Sequence, residues 1–136
     1  MSYDYNSERR EAISAGENAL KSLRHAKSSL SSARGWGIYD IFKGKTITGL
    51  IKHSKLQDAK SDMEQAKWDL EIFRRELSDL NDLENLHIDI GAFATVADFI
   101  FDGLIADIYV QSKIKKALDA VNNAINQVED ALRKLR

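Results

Sequence analysis

Apolar residues recur along this chain in steps of three and four. Between positions 56 and 80 they are Leu56, Ala59, Met63, Ala66, Leu70, Phe73, Leu77 and Leu80. A helix turns by about 100° per residue, so this spacing gathers them on one side and predicts an amphipathic helix with a buried stripe. Ile114, Leu118, Val121, Ile125, Val128, Leu132 and Leu135 form a second stripe, widened by Ala117, Ala124 and Ala131, and predict a last helix running to the C-terminus. Arg133, Lys134 and Arg136 in its final turn complement the helix dipole. Nearer the N-terminus, Ala12, Ala19, Ala26 and Ala33 fall seven apart, beside Gly16, Leu23 and Leu30. This predicts a first helix over Ser7 to Arg34, N-capped by Asn6 or Ser7. Its small residues form a seam that lets another helix approach closely. Ser28, Ser29, Ser31 and Ser32 in its last turns read as a solvated or closely packed face.

Two segments interrupt these stripes. Gly35-Trp36-Gly37 is predicted to end the first helix, because glycine accepts the positive φ of a helix stop without steric cost. From there to Ile51 the chain is apolar and carries Gly44 and Gly49, which predicts a buried turn or short helix. The second long helix is expected from Thr46 or Lys52 to Leu86, with Asn81 and Glu84 as a possible capping pair. His87 to Ala106 forms the second joint and predicts a short helix ending near Gly103. The fold class is therefore all-α. We expect a single domain over residues 1–136, an elongated antiparallel bundle of three long helices with two short apolar joints.

Composition agrees with this reading. The chain has 136 residues, no proline and seven glycines, so residues that punctuate turns are scarce. A net charge of −1 gives no overall field for nucleic acid or an anionic membrane. The absence of cysteine removes disulfides, thiol catalysis and thiolate metal sites. The apolar stretch Ile88 to Val110 contains Asp89, Asp98, Asp102 and Asp107. Each aspartate near a bilayer centre costs about 2.5 to 3.5 kcal/mol, which argues against a transmembrane span. Met1 to Asn6 is polar and predicts no signal peptide, hence a cytoplasmic protein.

The two joints share a pattern. Asp40, Ser54, Lys55, Ala59 and Ala66 recur 58 positions later as Asp98, Ser112, Lys113, Ala117 and Ala124. That offset is not a multiple of seven, so a heptad shift does not generate it. Gly49-Leu50-Ile51 matches Gly103-Leu104-Ile105 at a different offset, so in a true repeat the joints differ in length.

Aspartates in apolar settings are the sharpest anomaly. A buried carboxylate must be paired, capped or protonated. The favoured reading is a structural polar cluster of Asp40, His53, Lys55, Asp98, Asp102 and Lys113, with Asp40 near Lys113 and Asp98 near Lys55. The sharper alternative is a metal or acid/base site from Asp40, Asp98, Asp102 and His53. Bundle metal centres use paired Glu-x-x-His motifs, and here Glu84-Asn85-Leu86-His87 supplies the spacing once. Ser54 and Lys55 are adjacent rather than at Ser-x-x-Lys spacing, no His-Glu-x-x-His is present, and Gly44-Lys45-Thr46 lacks the upstream glycine of a phosphate loop, since position 39 is Tyr39. His25 is expected to face solvent, and His53 and His87 to be structural or surface residues. Trp36 is the candidate anchor at the first joint, and Trp68 reads as a core or seam residue.

Gly35-Trp36-Gly37-x-x-Asp40, Lys52-His53-Ser54-Lys55, Phe101-Asp102-Gly103-Leu104 and Val110-Gln111-Ser112-Lys113-Ile114 resemble motifs of an uncharacterised group of small bacterial helical proteins. The resemblance implies bacterial origin and a helical fold, and carries no activity. Where that group has a fuller glycine run this chain has Lys43-Gly44-Lys45, and where it has tryptophan this chain has Tyr39 and Ile108.

No catalytic constellation stands out, so the expectation is a non-enzymatic helical interaction or structural module. It would have coiled-coil-like helices and no cofactor, and would bind a protein partner or itself, with a homo-oligomer favoured. The alternatives are a small-ligand or metal-binding bundle using the joint carboxylates, and a small helical secretion-system partner. The latter resembles this chain in a helical hairpin with tryptophan and glycine at the turn, although Trp36 is followed directly by Gly37.

Overall fold

The computed structural model describes the backbone of residues 5–43, 46–80, 88–99 and 107–136, and the side chains of 6–32, 57–80, 88–98 and 113–136. The described residues form four helices: α1 (Tyr5–Lys43), α2 (Thr46–Ser78), α3 (Gly91–Phe99) and α4 (Asp107–Leu135). The architecture is all-α, as the periodicity predicts. No described helix is long and apolar enough to cross a membrane.

The first joint departs from expectation. Gly35 and Gly37 do not end the first helix, which continues to Lys43, and the next begins at Thr46. A glycine inside a helix costs only about 1 kcal/mol relative to alanine, a weak preference that does not by itself end a helix. The second joint does hold a short helix, α3. It is described over Gly91–Phe99, and its expected end near Gly103 lies outside the described residues. Residues 81–87, with the Asn81–Glu84 capping pair and His87, lie outside the described residues.

Each long helix pairs with α1. Hydrogen bonds from Ser22 to Asp69 and from Ser29 to Asp62 set α1 and α2 antiparallel. Arg9 donating to the Leu135 carbonyl (3.1 Å) and Arg24 facing Glu129 (3.5 Å) set α1 and α4 antiparallel as well. Helices α2 and α4 are therefore parallel to each other, and the chain crosses back along the bundle between them. Helix α3 lies on that crossover and packs against both α2 and α4. Around the bundle the neighbours run α1, α2, α3, α4, with no close backbone approach on either diagonal among the described residues.

The anticipated stripes are the core. Ala12, Ala19, Leu23, Ala26 and Leu30 of α1 are buried, as are Ala59, Met63, Ala66, Leu70, Phe73 and Leu77 of α2. Helix α4 contributes Ile114, Ala117, Val121, Ala124, Val128, Ala131, Leu132 and Leu135. Phe93 and Ala97 of α3 join them. The entry to α3 is fixed by Gln127 of α4, whose amide accepts from the Asp89 N–H (2.8 Å) and donates to the Asp89 carbonyl (3.3 Å). The Asp89 carboxylate then accepts the Gly91 N–H (3.0 Å), satisfying one donor at the open helix end.

The two copies of the internal pattern occupy comparable places in their helices and unlike places at their joints. Ala59 and Ala66 of α2 and their counterparts Ala117 and Ala124 of α4 are all buried. Asp40, however, falls within α1 and Asp98 within the separate helix α3.

Gly16 is where three helices meet. A Cβ there would lie 2.7 Å from Leu132 Cδ2 of α4 and 2.9 Å from Phe73 Cε1 and Cζ of α2. Gly16→Ala gains about 1 kcal/mol in helix propensity, but overpacking a filled core typically costs about 1 to 3 kcal/mol. We expect a net loss of stability in chemical denaturation. The double variant Gly16→Ala/Phe73→Leu should lose less than the sum of the two single changes, because the smaller side chain makes room for the added methyl.

Candidate functional site

The expected polar cluster is described only in part. The side chains of Trp36, Asp40, His53 and Lys55, and all of Asp102, lie outside the described residues. Lys113 is half-buried near the start of α4. Asp98 is the informative member. It was expected in an apolar setting near Lys55, yet its carboxylate is 45 % exposed and accepts a hydrogen bond from Lys67 Nζ at 2.6 Å. The neighbouring Ala97 takes the buried position on α3, so Asp98 turns toward the rim. The Lys67–Asp98 pair ties α3 to α2. With both partners a third or more exposed, such a pair is worth about 0 to 1 kcal/mol.

The basic end of α4 is neutralised locally. Arg133 and Lys134 pair with Asp130 at 3.0 and 3.2 Å, and Arg136 pairs with Glu17 of α1 at 3.1 Å. An open groove of about 920 Å³ lies between α1 and α4. Its lining includes Leu20 and Leu132, and two of its ion pairs, Arg24–Glu129 and Arg136–Glu17, join its walls. These two pairs hold α1 and α4 together, and the lining also carries Lys21 and Arg133, so basic side chains outnumber acidic ones. His25, on its edge, is exposed as expected.

Acidic crowding occurs where the N-terminal end of α1 meets the C-terminal end of α2. Carboxylate oxygens of Glu8, Glu76 and Asp79 come within 4.8 Å of one another. Burial pushes the Glu76 carboxyl above the usual carboxylate range, and the negative charges of Glu11, Asp79 and Glu8 push it further. Its Oε2 atom is buried without a hydrogen-bond partner. Oxygen donors of this kind suit hard cations. The arrangement also explains itself as like-charge crowding at a helix end, and these carboxylates are not those of the joints.

The feature that sequence reasoning misplaced is Trp68. It was expected in the core or seam and is instead 60 % exposed on α2. Ile72, one turn further on, is 37 % exposed, and these two are the exposed large apolar side chains among the described residues. The signal was present in the phase of the pattern. Ala59, Met63, Ala66, Leu70, Phe73 and Leu77 define the inner face, and Trp68 and Ile72 fall opposite it. Tryptophan is enriched where interfaces concentrate their binding energy, so this outward pair is the candidate site. Known protein families, curated proteins and solved structures contain no match to the chain.

A folded-state pKa raised above the unfolded value supplies stability below the unfolded pKa and loses it as pH rises through the folded pKa. Glu76 should therefore weaken the fold at neutral pH relative to acid. Glu76→Gln, which keeps the shape without the charge, is expected to raise the melting temperature more at pH 7 than at pH 4. Paired thermal melts of the two proteins at each pH read this difference.

Proposed function

We propose that this protein is a non-enzymatic helical interaction module that engages protein through the outer face of α2. The observation that carries this reading is the exposure of Trp68 and Ile72 side by side, on a bundle whose other large apolar side chains, where described, are buried or partly buried. Leaving an indole in water forgoes part of the about 25 cal/mol per Å² gained by burial. A partner that covers it recovers that gain at one compact spot. The helices around the site serve as its scaffold: α1 backs α2 through the alanine seam, and α3 braces it through Lys67–Asp98. A bacterial origin, as the motif resemblance implies, and a cytoplasmic setting, as the polar N-terminus suggests, belong to the same proposal.

The chain has two tryptophans, Trp36 and Trp68. In a Trp36→Phe variant, Trp68 alone reports, and its emission should be that of a solvated indole in dilute protein. Partner binding should shift it to the blue. Trp68→Ala should leave the unfolding free energy within about 0.5 kcal/mol of wild type, as expected for a surface change, and abolish recovery of crosslinked partners. Equal recovery with the alanine variant would sink the reading.

A further inference from the structure

The outer face of α2 has a pattern of its own. Ser61, Gln65, Trp68, Ile72, Arg75 and Asp79 follow one another in steps of four and three, and all six are exposed. This is the spacing of a helix–helix seam, on the side of α2 away from the core. Glu64 flanks it and is also exposed. Two of the four described cations of α2 already have partners: Lys67 holds Asp98 and Arg74 holds Glu71. Glu64 and Arg75 have no ion pair or hydrogen bond through their side chains among the described residues.

We infer that the occupant of this face is a second copy of the chain, with the two α2 helices packed antiparallel about a two-fold axis that passes between residues 68 and 72. The inference rests on the interaction reading of Trp68 and names its partner. In an isologous contact each pairing occurs twice. Centring the axis there sets Trp68 against Ile72 of the other copy at both sites. The same symmetry brings Glu64 of each copy level with Arg75 of the other, with both side chains on the same flank of the seam. The apolar centre is thus bracketed at each end by a charge pair of the correct sign, formed from two residues that have no such partner among the described residues of their own chain. Glu71, which approaches its own copy near the axis, is already neutralised by Arg74 at 3.1 Å. A seam on a single helix is small beside the roughly 1,200 to 2,000 Å² of a standard stable interface. Association should therefore depend on concentration in the micromolar range and above.

The geometry gives a test with an unusual signature. Glu64→Arg alone places arginine against arginine at both ends of the seam, and Arg75→Glu alone places glutamate against glutamate. Mixing the two single variants restores an attractive pair at each end of a heterodimer. The full chain is examined by sedimentation equilibrium at rising concentration and low salt. Wild type is expected to dimerise, each single variant to associate at least tenfold more weakly, and their equimolar mixture to recover the wild-type constant. The double variant Glu64→Arg/Arg75→Glu should also recover it. All these positions are exposed, so unchanged circular dichroism and melting of the dilute variants show that folding is intact. A wild type that stays monomeric would overturn self-association while leaving partner capture by Trp68 to stand or fall by crosslinking. A dimer indifferent to the charge swaps, or a mixture no tighter than its components, would overturn the assigned geometry.

Discussion

Helix α1 has to accept two long neighbours at once, and the rest of the bundle follows from how it does so. Both α2 and α4 run antiparallel to it, and both come close enough for Phe73 and Leu132 to occupy the space above Gly16. Bulky side chains at the contact would hold the axes apart, since interaxial distance is set by the residues between them. Ala12, Ala19 and Ala26 keep that distance short along the described part of α1. Because α2 and α4 each face α1, they do not approach one another closely, and the gap between them is closed by the short helix α3. The crossover that carries α3 is thus part of the core through Phe93 and Ala97.

Helix α2 is built with two faces of different character. Its inner side is an uninterrupted apolar stripe. Its flank toward α1 is polar, with Asp62 and Asp69 accepting from serines of α1, and its flank toward α3 holds Lys67 against Asp98. The remaining sector carries Trp68 and Ile72. Polar flanks on both sides of a helix confine its apolar surface to the core and to this one outward strip. The indole on this strip stays exposed among the described residues.

Much of the fold was legible because periodicity reports burial directly. Every described member of the three long stripes is buried or partly buried. The joints were less legible, since they depend on local exceptions. Gly35 and Gly37 signal a helix stop by propensity alone, which is a weak preference, and α1 continues past both. Asp98 was read from its apolar neighbours in sequence. On a helix the adjacent residues point elsewhere, and it is Ala97 that faces inward. Trp68 was assigned to the interior by residue type, against the phase of its own helix. The partner of Asp98 was beyond sequence reasoning, because Lys67 becomes its neighbour only once the crossover lays α3 beside α2.

The serine–aspartate bonds between α1 and α2 sit seven residues apart on both helices. They therefore cannot distinguish the native alignment from one slipped by a heptad, in which one bond would survive and alanines would still face alanines. The column that breaks this degeneracy is Arg9, Gly16, Leu23 and Leu30, where only Gly16 lacks a side chain. A slip of seven in either direction would bring Phe73 onto Arg9 or Leu23 in place of the open position. One missing methyl group thus acts as the notch that tells an otherwise repetitive helix pair where to stop sliding.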